Sequence, residues 1–287
     1  MVDDPRQSDV RDTWEAAAPG WAKWERVFAT SLSEATEALM DRAGVRQGMR
    51  VLDVACGAGS QSIQAAKRVG PGGSVVASDI SAAMLEHVRR NAAQAGLHNI
   101  DTLKCAAQDL PEHQAGFDAS ICRMGLMLFQ SPGKALEAIR RALNPGARFA
   151  ALVFTTPAGN PFMAQPMAIL LRHAGKSPPA PGQPGIFALG GEGVLERLMK
   201  DSGFREVETE TVRALLVLPS ASDAVQLMQE AAGAYRAVVA DLSEEDRSRA
   251  WSEVHECLKR FESGDRFETA LEFFIGSGAR PERELAS

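Results

Sequence analysis

Val51-Leu52-Asp53-Val54-Ala55-Cys56-Gly57-Ala58-Gly59 is a hydrophobic strand running into a glycine-rich turn, with a helical pattern from about Ser60. Gly57 and Gly59 let the backbone turn sharply and approach a ligand closely, and the helix behind them offers N–H groups that have no partner inside the helix. A small molecule bound at this turn is the expectation. Two glycines in a strand-to-helix turn also suit a plain turn, so the surrounding pattern has to decide.

Outward from this stretch, short apolar runs at residues 49–54, 74–78, 100–105, 117–122 and 147–154 alternate with helical patterns, the signature of parallel strands joined by crossover helices. Met84, Leu85, Val88, Ala92 and Ala95 repeat at helical spacing, as do Leu136, Ile139 and Leu143. Ser81 is placed to cap the first of these helices, and Asn144-Pro145-Gly146 to end the second. The middle of the chain is therefore doubly wound α/β.

Asp79 closes the second strand, twenty positions past Gly59, where a carboxylate can accept both hydroxyls of a ribose. A dinucleotide dehydrogenase would place a third glycine at position 62, and the residue is Ser62, which weakens a nicotinamide reading. Asp109 follows the third strand, within Ala106-Ala107-Gln108-Asp109-Leu110-Pro111, where it can reach the same crevice and accept a hydrogen bond from an exocyclic amine such as that of adenine.

Together, Asp53-x-x-x-Gly57-x-Gly59, Asp79-Ile80-Ser81-x-x-Met84, Gln108-Asp109-Leu110-Pro111, Phe117-Asp118 and Leu143-Asn144-Pro145-Gly146 resemble the class I S-adenosylmethionine-dependent methyltransferases, in particular the UbiE-like group of small-molecule enzymes. The resemblance covers about residues 44–155. It implies a Rossmann-like, doubly wound seven-stranded α/β sheet in the order 3-2-1-4-5-7-6 with the last strand antiparallel. It implies S-adenosyl-L-methionine as cofactor, its amino-acid part held by Asp53, Ala55 and the Gly57–Gly59 turn, and its ribose by Asp79. Ile80 and Met84 would flank the adenine, with Gln108, Asp109 and Leu110 around its amino group. Cys122 and Arg123, at the end of the fourth strand, would lie near the sulfonium and the acceptor. Cys122 suits an inert buried thiol equally well, and Arg123 needs either a structural carboxylate or an anionic group of cofactor or substrate.

The flanks extend this core, residues 46–156, on both sides. Residues 1–45 read as an N-terminal helical lid, with Leu32, Ala35, Leu39 and Ala43 on one face and Gly44 as the stop. Trp14, Trp21 and Trp24 fall within eleven positions, either packing a helix on the main domain or folding over a ligand. After the proline-rich connector at 177–185, residues 157–287 complete the sheet through a helix at 193–202 and strands at 204–218 and 267–275, ahead of a charged tail. Two amphipathic helices lie between these strands, with Ser243 and Asp246 as a capping box. They form either a cap over the site, about residues 220–262, or plain core. Trp21, Trp24, Arg123, Phe129 and Tyr235 are the expected substrate contacts, and His173 is a candidate general base, unless it is a surface histidine.

Composition bounds the alternatives. The 287 residues are 45% hydrophobic and 24% charged, enough for a sizeable core, and the net charge of −6 opposes a phosphate backbone. After the fourth strand the chain reads Cys122-Arg123-Met124-Gly125 where amino-group base methylases carry Asn/Asp-Pro-Pro-aromatic, so no nucleic-acid partner is expected. Cys56, Cys105, Cys122 and Cys257 are too irregularly spaced for a metal knuckle or a disulfide framework, and no metal is expected. The acidic start Met1-Val2-Asp3-Asp4 resembles no secretory signal, and no stretch approaches ~20 apolar residues, so the expectation is a cytoplasmic protein without a membrane partner. A homodimer is compatible with all of this. The expected activity is methyl transfer to a small, largely hydrophobic acceptor such as a quinone, polyketide or other specialised metabolite, at oxygen, carbon or nitrogen. A nicotinamide-dependent oxidoreductase and a non-catalytic S-adenosylmethionine-binding module are the rivals.

Overall fold

A computed structural model describes residues 5–180 and 182–282. Two helices, α1 (Pro5–Ser31) and α2 (Ser33–Arg42), lead into β1 (Arg50–Val54). Strands and helices then alternate through α3 (Ser60–Val69), β2 (Ser74–Asp79), α4 (Ala82–Gln94), β3 (Ile100–Lys104), β4 (Phe117–Arg123), α5 (Pro132–Ala142) and β5 (Leu143–Phe154). The second half contains α6 (Pro161–His173), α7 (Val194–Asp201) and β6 (Arg205–Leu218), then α8 (Ala221–Ala231), α9 (Gly233–Val238) and α10 (Glu244–Leu258). A two-residue β7 (Glu262–Ser263) and the long β8 (Arg266–Ala279) close the sheet.

The strands lie in the order β3-β2-β1-β4-β5-β8-β6, with β7 paired to β8. The first five are parallel, and β8 runs antiparallel to both β5 and β6. This is the expected seven-strand order, with β7 as a short addition. Val51, Leu52, Asp53 and Val54 are all buried, because a central parallel strand has helices on both of its faces. Strand order reverses between β1 and β4, and the crevice beyond their carboxyl ends is where such sheets bind ligands.

Local chemistry sets the boundaries. Ser81 accepts a hydrogen bond from the Met84 N–H at 3.1 Å and starts α4, and Ser243 does the same for Asp246 at the start of α10, both as expected. Gly59, at φ 97°, turns the chain into α3; a Cβ there would stand 2.9 Å from Val88 of α4, so only glycine allows the two helices to pack this closely.

Several boundaries differ from the expectation. The helix expected up to residue 45 is two helices; β5 begins at Leu143, and β8 runs on to Ala279. Three helices, not two, separate β6 from β8, and α6 occupies a stretch to which periodicity assigned no element. Pro181 and residues 1–4 and 283–287, part of the expected connector, the acidic start and the tail, lie outside the described residues. The larger correction concerns the inserted helices: α8 packs on α1, and α10 on α6 and α8. They back the N-terminal helix and do not form a roof over the crevice.

Helix α1 crosses the carboxyl edge of the sheet and is fixed at several points. Glu15 accepts from the N–H groups of Ala82 and Ala83 at 2.7 and 3.1 Å, a carboxylate at the amino end of α4. Gly20 lies against the Glu230 carbonyl, where a Cβ would be 2.0 Å from the oxygen, and the Trp24 indole donates to the Glu230 carboxylate at 2.7 Å. These contacts make α1 one wall of the crevice.

Candidate active site

A cavity of about 410 Å³ opens at the carboxyl ends of β1, β2 and β4, a size typical of a small-molecule site. Its floor is Val54, Ala55, Cys56 and Gly57 after β1. Asp79, Ile80 and Met84 line one side, Cys105 to Gln108 the rim after β3, and Arg123 to Gly125 the other side. Trp14, Trp21 and Glu25 of α1 form the wall, and Leu128, Phe129 and Lys134 the mouth toward α5.

Asp79 is tied down by backbone. Its carboxylate accepts from the Gly57 N–H at 3.0 Å and from the Ser81 N–H at 2.9 Å. Burial pushes the carboxyl up to about 6, opposed by those N–H donors. A carboxylate offers about four acceptor positions, so capacity for hydroxyl donors remains. Gly57, at φ 56°, has nothing within 4 Å of where a Cβ would stand, and Ala55 adopts φ 54°, the left-handed region that an alanine enters at a cost. The turn at the cavity floor is held in a conformation that local preference disfavours.

Asp53 and Gly59 serve the fold instead. Asp53 is wholly buried beneath the floor, outside the cavity lining, and accepts from the Ser62 hydroxyl and, at 3.4 Å, from Gln61. Burial pushes its carboxyl up to about 7, with the Ser62 hydroxyl and the Arg123 charge opposing. The residue at position 62, where a dehydrogenase needs glycine, thus faces inward as the partner of Asp53. Gly59 acts through helix packing. Around the expected adenine rim, Gln108 lines the cavity, whereas Asp109 is exposed on a 3₁₀ turn and Leu110 packs into the core.

At the end of β4 the two neighbours part. Cys122 is buried outside the cavity, its sulfur beneath Gly125, and burial pushes the thiol up to about 12, so it is the inert thiol. Arg123 lines the cavity. It donates to the Thr36 hydroxyl at 3.0 Å and to the Ser60 hydroxyl at 2.6 Å, while its buried Nε has no hydrogen-bond partner. Glu25 faces it from α1, bonded to the N–H and hydroxyl of Ser60. Burial raises the Glu25 carboxyl above the usual range, opposed first by the Arg123 charge, and its buried Oε1 is unpartnered. The Trp21 indole N–H is the third such group on the cavity wall.

Of the expected acceptor contacts, Trp21, Arg123 and Phe129 line the cavity. Trp24 is buried against Glu230, and Tyr235 is fully buried with its hydroxyl donating to the Met163 carbonyl at 2.7 Å, so both are packing residues. His173 ends α6 on the outside of the molecule, 2.9 Å from the Glu253 carboxylate of α10, and is no general base for this cavity. Sequence reasoning missed Glu25 and Met124, and named Trp14 only within the tryptophan cluster. The tryptophan cluster was the available signal, since the helix that places Trp14 and Trp21 on the cavity also places Glu25 there, at the four-residue spacing that puts side chains on one face. Among the described residues no group of three His, Cys, Asp or Glu is arranged to hold a metal, and no helix is long and apolar enough to cross a membrane.

Sheet order, the glycine turn and the acid at the end of β2 define a Rossmann-like nucleoside-binding domain. Residues 46–165 match the family model described as a methyltransferase domain. The ubiquinone/menaquinone biosynthesis C-methyltransferase UbiE of Idiomarina loihiensis is 38% identical over 119 residues, which are 41% of this chain and 47% of that protein. The chain thus spans about half the length of the curated relatives it matches. A candidate methyltransferase from Bacillus halodurans superposes with a TM-score of 0.59 at 17% identity, covering 86% of this chain and 99% of the other. The phosphoethanolamine N-methyltransferase 2 of Haemonchus contortus, solved with phosphomonomethylethanolamine and S-adenosylhomocysteine, gives 0.58 at 18% identity, covering 94% of this chain and 60% of the other. At such identities the likeness is one of fold. Residues 46–165 thus form a methyltransferase domain, similar to the class I, UbiE-like S-adenosylmethionine-dependent enzymes.

The residues present fit this cofactor. A buried carboxylate stands at the end of β2, apolar Ile80 and Met84 stand beside it, and three buried polar groups on residues that line the cavity lack partners, as a polar ligand would supply.

Proposed function

We propose that this protein transfers the methyl group of S-adenosylmethionine to a small, mostly hydrophobic acceptor by in-line displacement. The observation that carries the reading is the cavity itself. Its lining combines polar groups, Asp79, Gly57 and Gln108, with the apolar side chains of Met124, Leu128, Phe129, Trp14 and Trp21. Bound there, the cofactor would supply an electrophilic methyl group on a sulfonium.

The chain's own part is positioning. Asp79 accepts the ribose hydroxyls, Ile80 and Met84 sandwich the purine, and Gln108 meets its polar edge. The tryptophans of α1 and the Leu128–Phe129 mouth align an apolar acceptor and exclude water, which is where such a displacement gains most. With His173 on the outer surface, no histidine is among the described residues that line the cavity, and the reading includes no dedicated histidine base. The same reading takes a quinone, polyketide or comparable metabolite as acceptor, at carbon, oxygen or nitrogen, with no nucleic-acid or membrane partner, in the cytoplasm.

Incubating the protein with S-adenosylmethionine and a panel of hydroquinones, phenols and amines, and measuring S-adenosylhomocysteine together with the methylated product, tests the proposal. Binding of S-adenosylmethionine with no turnover across a broad panel would favour a non-catalytic module, and preferential binding of NAD by calorimetry would favour an oxidoreductase.

A further inference from the structure

We propose that Glu25 of α1 and Arg123 of β4 form a charge-matched clamp for the amino-acid end of S-adenosylmethionine, the guanidinium taking the α-carboxylate and Glu25 the α-ammonium group. The inference rests on the function proposed above and reassigns the part of the cofactor that the family resemblance placed at Asp53.

Asp53 is unsuited to that task, because it lies beneath the cavity floor and is bonded to Ser62 and Gln61. Glu25 and Arg123 both line the cavity, and each retains a buried polar atom without a partner: Oε1 on one, Nε on the other. Burying either group unsatisfied is costly, and both are held in place by residues that leave those atoms available. Thr36 and Ser60 accept from the two terminal nitrogens of Arg123, and Ser60 also donates to Glu25.

Position agrees with this. Arg123 and Asp79 end β4 and β2, the two neighbours of β1, so they stand about two strand spacings apart, ~10 Å. That is the scale of the single-bonded chain from a ribose to a methionine carboxylate. Charge agrees as well: Glu25 and Arg123 offset each other in the free protein, and together they match a zwitterion of no net charge. A lone anionic acceptor would leave Glu25 opposed to it. For a general base the neighbouring guanidinium is a handicap, because it lowers the proton affinity of the Glu25 carboxylate.

Calorimetry on the unmutated 287-residue chain separates the possibilities. S-adenosylhomocysteine carries the complete amino-acid end, its decarboxylated analogue lacks the carboxylate, and 5′-methylthioadenosine lacks the whole end but keeps the nucleoside and sulfur. The clamp predicts that removing the carboxylate weakens binding about 10- to 100-fold, and removing the whole end more, the range for charge-assisted hydrogen bonds. Arg123→Lys and Glu25→Gln should then weaken S-adenosylhomocysteine by a comparable factor while methylthioadenosine binding changes by less than about threefold. Wild-type protein that binds all three within about threefold would overturn the clamp and leave the nucleoside site standing. Binding of none of them would overturn the proposed function and the clamp with it.

Discussion

The Gly57 N–H donates to the Asp79 carboxylate at 3.0 Å, joining the glycine turn after β1 to the acid that ends β2. The turn and the acid therefore form one preorganised unit. Asp79 fixes the loop from one side and keeps acceptor positions on the other, so the proposed ribose site would be built before a nucleoside arrives.

Asp79→Ala is expected to weaken S-adenosylhomocysteine binding by ~1–3 kcal/mol, through loss of charge-assisted hydrogen bonds and loosening of the Gly57 turn. Calorimetry on the folded variant measures it. Unchanged affinity would move the ribose elsewhere.

Asp53 titrates at about 7 and Asp79 at about 6 in the folded protein, both above the ~3.9 of an unfolded aspartate. Between about pH 4 and 7 the folded state therefore holds more protons than the unfolded state, so these two groups make stability fall as pH rises through that window. The ligand-free melting temperature should respond accordingly, and Asp53→Asn should flatten the profile between about pH 4 and 7. A variant profile as steep as that of the wild type would clear Asp53 as its source.

The two glycines of the turn should behave differently. Gly57→Ala meets open space and carries only the left-handed backbone penalty, about 1 kcal/mol. Gly59→Ala adds a collision with Val88 and should cost about 2–4 kcal/mol in denaturant titration. Equal losses at both positions would contradict the packing role assigned to Gly59.

His173→Ala should leave kcat and cofactor affinity within about twofold of wild type, since its partner is Glu253 on the outer surface and catalytic bases contribute ~100-fold or more. Tyr235→Phe should lower stability by about 1 kcal/mol through loss of the bond to the Met163 carbonyl, again without touching binding. A large kcat loss in His173→Ala would require α6 to reorient in the working enzyme.

Much of the core was legible because its signals are local. The apolar runs at 49–54 and 74–78, the helical stripe through Met84, Leu85, Val88 and Ala92, and the caps at Ser81 and Ser243 report backbone preferences and burial that neighbours in sequence decide. Of the residues expected at the cofactor, Ala55, Gly57, Asp79 and Ile80 follow strand ends and Met84 lies in the first turn of α4, and all line the cavity. The acceptor side was far less legible. Trp24 and Tyr235 carry the composition of a binding surface, yet one packs against Glu230 and the other against Met163.

The sequence by itself determined the alternating strands and helices, the glycine turn and the acid twenty residues beyond it, because hydrophobic periodicity and backbone sterics act over a few residues. Tertiary structure alone decided that Glu25 of α1 meets Arg123 of β4, ninety-eight positions away, and that Asp53 turns inward to Ser62 while Asp79 faces the cavity. Which of two buried acids is available to a ligand depends on how a distant helix crosses the sheet and which hydroxyl reaches each carboxylate first, and no local pattern encodes that crossing.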